Sequence, residues 1–193
     1  MTLVLASSSA IRRQMLEQAG VAFAVEAADV DEAAAKKRYS DARQLATGLA
    51  EAKALAVGKA RAGDLIIGSD SVVSVDGKLF DKPRDRGQAA EHLRKFSGQT
   101  MILTSAVALA RDGAVEWSVC DNATLKVRTL SPRFIEDYLE AEWPDVGYCV
   151  GVFRLEGRGV QLFESIDGSF FTILGMPLLP LLTALRKRGA LPS

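Results

Sequence analysis

LIIGSDSVVSVDGKLFDKP, residues 65 to 83, decides how the rest of the chain is read. Leu65-Ile66-Ile67 is an apolar run with the length and composition of a buried strand, and it breaks at Gly68-Ser69 to present Asp70 at its end. Asp76-Gly77 is a two-residue hairpin turn; folding the chain about it pairs Val75 with Lys78 and sets Ser71 opposite Lys82. Strict register puts Asp70 and Lys82 on opposite faces. Pro83 has no N–H to give a ladder, so regular pairing is expected to fail there and Asp70, Asp81 and Lys82 to converge at the open end of the hairpin. From this stretch alone, a surface hairpin carrying scattered charges fits as well as a catalytic edge.

N-terminal to it, Leu3-Val4-Leu5-Ala6 reads as a first strand, followed by Ser7-Ser8-Ser9 and a helix from about Ala10 to Gln18 that ends before Gly20. Free amides of a first helical turn, hydroxyl donors and the helix dipole together suit an anion. Serines are also the preferred helix caps, and it is the adjoining pair Arg12 and Arg13 that favours the phosphate reading. Val21 to Ala27 is expected to be a second strand, running into a loop with Asp29, Asp31 and Glu32. Three such carboxylates suit a hard divalent cation or a solvated loop. A helix is expected from about Asp41 to Lys59, with Lys53 on the row of Leu45 and Leu49, where it either snorkels or reaches an anion.

C-terminal to the hairpin, Arg86 to Phe96 is expected to form a helix with Ala89, Leu93 and Phe96 inward and His92 facing solvent. Met101 to Ala110 and Val115 to Val127 are strand-like and joined by the turn Asp112-Gly113. Ser131-Pro132 starts a helix running to about Ala141. Trp143 to Gly159 carries glycines at 147, 151, 157 and 159, which suits either a loop approaching a ligand, with Phe153 and Glu156 as contacts, or an ordinary irregular connection. Val160 to Ile166 and Phe170 to Leu174 read as strands, and Pro177 to Arg188 as a closing helix. The alternation predicts a single α/β domain over residues 1–193, a mixed sheet flanked by helices.

Composition narrows the function. Lys plus Arg and Asp plus Glu both number 24, so no global positive field is present to hold a nucleic acid polymer, and an anionic ligand needs a local cation cluster. With one histidine, acid–base work falls to carboxylates and lysines. Two cysteines outside any C-x-x-C pair read as reduced thiols. The opening Leu3 to Ala6 is too short for a signal peptide core, and the longest apolar tract, Ile173 to Leu185, is interrupted by Pro177 and Pro180; a cytoplasmic protein without membrane attachment is expected. No P-loop, G-x-G-x-x-G, G-x-S-x-G or H-E-x-x-H is present.

LASSSAIRRQML, LAEAKA at residues 49 to 54, IIGSDSVV followed by DKP, LRKFSGQT, EGRG and ILGMPL occur in one order across residues 3 to 188. Together they resemble the Maf family of nucleoside triphosphate pyrophosphatases. The resemblance implies an inosine-triphosphatase-like α/β fold with two lobes around a cleft, a divalent cation (Mg²⁺ or Mn²⁺), and hydrolysis of a nucleoside triphosphate to monophosphate and pyrophosphate. On matching positions it implies Asp70, Lys82 and Lys53 as catalytic, and Ser7, Ser9, Ile11, Arg12, Arg13, Ser71 and Glu156 as substrate contacts. Asp70 with Asp31 or Glu32 would be metal ligands. Asp81 stands where many relatives have glycine, and Ala10 replaces a proline. Ile11 and Leu155-Glu156-Gly157 look more like the subgroup acting on 7-methyl-GTP, although that subgroup tends to carry tryptophan at the Ile11 position. A guanine edge offers two adjacent N–H donors that one Glu carboxylate accepts together, whereas a uracil or thymine edge suits Gln. A pyrophosphatase for pyrimidine triphosphates and a non-catalytic regulator of cell division are the alternatives. Leu3-Val4-Leu5 and the last helix suit either a homodimer surface or core packing.

Overall fold

A computed structural model describes residues 1–192. In chain order the elements are β1 (Leu3–Ala6), α1 (Ala10–Gln18), β2 (Ala24–Val25), α2 (Glu32–Arg38), α3 (Ala42–Gly58), β3 (Leu65–Val75) and β4 (Lys78–Phe80). These are followed by α4 (Arg86–Phe96), β5 (Thr100–Arg111), β6 (Ala114–Val127), α5 (Pro132–Glu142), two 3₁₀ turns (Asp145–Tyr148 and Arg158–Leu162), β7 (Phe163–Asp167), α6 (Phe170–Ile173) and α7 (Leu178–Lys187). The seven strands form one mixed sheet in the order β2-β1-β3-β5-β6-β7, with β4 on β3. Two compact units divide the chain: the first holds residues 1–71, 104–121 and those from Ser169 onward, the second Val72–Leu103 and Asn122–Gly168. Among the described residues, no helix is long and apolar enough to cross a membrane.

In the first unit, β1 runs parallel to both β2 and β3, with Leu3 to Ala6 beside Leu65 to Gly68. The period-2 alternation of a strand sorts their side chains to two faces. Leu3, Leu5, Leu65 and Ile67 pack with Met15 and Leu16 of α1 and Leu181 and Leu185 of α7. Val4, Ala6 and Ile66 pack with Ala54 and Val57 of α3. Both faces are thus covered, which is why β1 and β3 read as continuous apolar runs. Each fully buried Leu or Ile here contributes roughly 1.5–3 kcal/mol.

Gly68 sets the separation of α3 from β3. A Cβ on it would lie 2.0 Å from the Ala50 carbonyl oxygen and 2.6 Å from the Ala54 nitrogen, so only glycine lets the helix backbone approach this closely. Helix starts follow the capping residues of the sequence: Asp41 accepts from Gln44 N, Asp85 from Gln88 N and Ser131 from Phe134 N.

In the second unit, β3 and β4 pair antiparallel about Asp76-Gly77, with Val75 opposite Lys78 and Val73 opposite Phe80. The ladder ends at Phe80, so Asp81 and Lys82 leave it before Pro83 is reached. His92 is buried at 7% exposure, against the expectation that it faces solvent. It stands three residues after Ala89 and four before Phe96, on the inward row, and its ring meets Phe80 edge-on at 5.2 Å. Burial moves its pKa below the ordinary 6.5, aided by Lys95 and opposed by Glu91 and Asp81.

Other expectations change as well. Phe170 to Leu174 is a helical turn, not a strand: Ile173 N donates to Ser169 O and Leu174 N to Phe170 O, so local closure overrides the β preference of Phe, Thr and Ile. Val160 to Ile166 begins as a 3₁₀ turn and becomes strand only at Phe163. The second strand shrinks to Ala24–Val25, and the expected acidic loop winds into α2, capped by Asp31. Phe153 is core, at 6% exposure and edge-on to Phe163, and is not a ligand-facing surface.

Candidate active site

β3 does not break at Gly68-Ser69 as expected but runs on to Val75, so Asp70 lies within the strand, and the alternation that builds the core also divides the Gly68-Ser69-Asp70-Ser71 segment. Ile66, Gly68 and Asp70 share the α3 face, while Ser69 and Ser71 share the face of α1 and α7. Because Gly68 draws α3 close, Lys53 on that helix reaches Asp70: Nζ lies 2.6 Å from Asp70 Oδ1 and 2.8 Å from Glu32 Oε1. Lys53 and Asp70 are each 13% exposed at the side chain and Glu32 47%, so the cluster opens to solvent on its Glu32 side. An ammonium has three N–H groups, and two are taken here. Lys53 is therefore not a snorkelling boundary residue; it joins two carboxylates brought from β3 and α2.

Asp31, the other acidic candidate, turns its Oδ1 to the Ala34 amide as the cap of α2. Glu32 is the member of that pair at Lys53. Among the described residues, no group of three or more His, Cys, Asp or Glu side chains is placed to hold a metal.

On the opposite face of β3 the serines enter a buried network. Arg12 donates from Nε to Gly175 O at 2.9 Å, from Nη1 to Ser69 O at 3.0 Å and from Nη2 to Ser71 Oγ at 2.9 Å. Ser105 Oγ donates to Thr172 O at 2.8 Å, and the single Ser71 O–H is within reach of both Ser105 Oγ at 2.9 Å and Gly175 O at 3.1 Å. Arg12, Ser71, Ser105 and the Thr172 and Gly175 carbonyls thus form one connected network. Ser69 Oγ donates to Ala106 O at 2.8 Å and approaches Gly175 O at 3.1 Å. Gly175 has φ +109°, where a side chain is strained, and a Cβ there would stand 3.2 Å from Ser71 Oγ. Burial lowers the pKa of Arg12, against the fields of Asp70 and Glu32, yet an arginine stays charged at physiological pH.

Arg12 and Ser71 are therefore anchored in the protein's own hydrogen bonds, with one N–H left on each Nη of the arginine. Arg13 lies on the surface, paired with Glu17 at 3.5 Å. Ser7 is buried and its Oγ accepts from the Ser9 amide; Ser9 caps α1 without a side-chain bond, and Ile11 is half-buried. In the second unit, Lys82 and Glu156 are exposed, and both act on the Cys149 thiol: burial and Glu156 push it up to about 11 while Lys82 and Arg154 oppose the shift. Sequence reasoning missed Ser69, Ser105, Thr172 and Gly175. The ILGMPL segment marked the last as a motif, but nothing in an isolated serine or threonine signals a partner more than thirty residues away.

The Maf-like protein family matches residues 2–188. A "Nucleoside triphosphate pyrophosphatase" of Sphingopyxis alaskensis is 44% identical over 198 residues, covering 100% of both chains. A "7-methyl-GTP pyrophosphatase" of Rhizobium meliloti is 44% identical over 195 residues, covering 99% of this chain and 98% of that one. A "Nucleoside triphosphate pyrophosphatase" of Paramagnetospirillum magneticum is 44% identical over 192 residues, covering 97% and 99%.

Proposed function

The chain belongs to the Maf-like protein family, and on that premise we propose that it hydrolyses a nucleoside triphosphate to the monophosphate and pyrophosphate, with 7-methyl-GTP or a related guanine nucleotide as substrate. The observation that carries the reading is the Glu32–Lys53–Asp70 cluster: a carboxylate midway along a buried strand, held by an ammonium and partly open to solvent. The names of the relatives, pyrophosphatases acting on nucleoside triphosphates and in one case on 7-methyl-GTP, support the reaction class.

In the reaction, the oxygen of a water attacks the α-phosphorus, the α–β anhydride bond breaks and pyrophosphate leaves. Asp70 orients that water or takes its proton, and Lys53 fixes the carboxylate through one N–H while its third N–H remains for a phosphate oxygen. Lys53 carries one positive charge and Asp70 and Glu32 two negative ones, so the cluster is net negative and has no surplus cation for a polyphosphate. A divalent cation fits that donor set, since Mg²⁺ is commonly held by one or two carboxylates together with substrate phosphates, and Asp70 and Glu32 are the residues that would hold it. When bound, such an ion neutralises phosphate charge and polarises the phosphoryl group. In the second unit, Lys82 is the cation we assign to the phosphates and Glu156 the acceptor we assign to the base.

The test is a panel of 7-methyl-GTP, GTP, dTTP and UTP with Mg²⁺ or Mn²⁺, scored for pyrophosphate against single phosphate release. Pyrophosphate from a guanine nucleotide, abolished by chelation and restored by metal, is the expected result. Turnover confined to pyrimidine triphosphates overturns the assignment of the base, and absence of turnover overturns the reaction.

A further inference from the structure

Glu156 is exposed, yet the loop that carries it is fastened on both sides. Before it, the buried Tyr138 hydroxyl donates to Val152 O at 3.0 Å, and Val152 itself sits at φ +56°, a conformation that a β-branched residue adopts only where its surroundings impose it. Beyond it, Gly159 lies so close to the backbone of Arg154 that a Cβ would fall 2.5 Å from the Arg154 carbonyl oxygen and 2.8 Å from its nitrogen. Gly157 N closes the turn onto Arg154 O at 3.2 Å. Arg154 is thus the residue around which the Glu156 turn is wrapped.

The head group of Arg154 is held by two carboxylates. Nη2 donates to Glu142 Oε2 at 3.1 Å and Nη1 pairs with Asp145 Oδ2 at 2.9 Å. Glu142 is buried, so it needs that cation, whereas Asp145 is more than half exposed. Arg154 Nε is buried without an acceptor, which leaves the two ion pairs as the interactions fixing the guanidinium. Glu156 is two residues away and within the electrostatic reach of the same guanidinium. Besides its two partners, Glu156 is the carboxylate whose field acts on this guanidinium.

We propose that Arg154, held by Glu142 and Asp145, is the positioning residue for base selection: the two carboxylates divert the guanidinium from Glu156 and keep its turn wrapped, so that the Glu156 carboxylate stays open to the two N–H donors of a guanine edge. The inference rests on the assignment of Glu156 to the base made above.

GTP and ITP make the test, because they differ only by the N2 amino group that a carboxylate acceptor reads. Wild type, Arg154→Ala, Arg154→Lys, Asp145→Asn and Glu156→Gln are compared for kcat and KM on both nucleotides and their 7-methyl forms, with folding checked by thermal melting. Wild type is expected to prefer GTP, and Glu156→Gln to lose that preference. Arg154→Ala is expected to cut the GTP/ITP ratio of kcat/KM about ten-fold through KM for GTP, while kcat for ITP changes less than about two-fold. Arg154→Lys and Asp145→Asn should fall between, and they decide the matter if Arg154→Ala does not fold. If Glu156→Gln loses the preference while every folded Arg154 and Asp145 variant keeps it, the positioning role is wrong and the base assignment stands. If wild type turns over neither nucleotide nor its 7-methyl form, or does not prefer the guanine member of the pair, or if Glu156→Gln keeps the preference, the base assignment falls and the inference with it.

Discussion

Replacing Gly68 with alanine tests whether the approach of α3 to β3 positions the Lys53–Asp70 pair and whether that pair serves the proposed reaction. The added methyl would sit 2.0 Å from Ala50 O, about 1.5 Å short of ordinary van der Waals separation. The obstacle is helix backbone, which no rotamer change removes, so α3 has to move by on the order of 1 Å relative to the strand. Lys53 lies one residue before Ala54, whose nitrogen is the second atom in collision, so its Nζ moves with the helix away from Asp70, now 2.6 Å distant. Overpacking of this kind costs roughly 1–3 kcal/mol of stability. A 1 Å misplacement of a catalytic group lowers rate by about 10²-fold. The assay is kcat for pyrophosphate release on protein still folded by circular dichroism, with urea titration giving the stability change. Gly58→Ala is the control: its Cβ would meet Ile66 Cγ1 at 3.6 Å, an ordinary contact, and helical alanine should leave stability equal or higher. A Gly68→Ala protein with wild-type kcat refutes the reasoning, as does a Gly58→Ala protein as impaired as Gly68→Ala.

Further outcomes follow from the same contacts. Asp70→Asn should lower kcat by at least about 10³-fold with little change in KM, checked by steady-state kinetics; near wild-type pyrophosphate release from folded protein would remove Asp70 from the mechanism. Arg12→Met strips three hydrogen bonds from a buried network and should destabilise the fold by about 3 kcal/mol, whereas Arg12→Lys, which keeps the charge but not the fork, should lose part of that; unchanged urea midpoints would contradict the anchoring role. His92 has a lowered folded pKa, so below 6.5 the unfolded chain takes up protons that the folded chain resists. Its contribution is fully present above pH 6.5 and declines as pH falls through that value toward the folded pKa, and His92→Leu should flatten the stability profile in that window. A profile of equal slope in both proteins would show that another group titrates there.

Much of the fold was written in local pattern. Apolar runs of strand length, Asp-Gly turns and Asp or Ser caps placed β1, β5, β6 and the four longer helices α3, α4, α5 and α7 within a residue or two of where they lie, whereas β3 runs on unbroken through the expected break at Gly68-Ser69. The misreadings are segments where tertiary contacts outweigh local preference. Phe170 to Ile173 has strand-forming residues but closes as a helical turn whose Thr172 carbonyl receives Ser105. His92 has a polar ring on a row that Phe80 covers from another element.

The sequence by itself determined that a carboxylate follows a buried apolar run and that lysines and arginines are the cations available to it, because apolar run length and charge are properties of residues in order. That the strand continues unbroken past Asp70 to Val75 was decided by tertiary structure. Which cation meets Asp70 was decided only by the tertiary structure. Alternation along β3 sends Asp70 to the α3 face and its two serine neighbours to the other; Gly68 lets α3 come close enough for Lys53 to bridge Asp70 and Glu32, and Gly175 gathers Arg12 on the far face. These pairings depend on distances between backbones, which the order of residues does not carry.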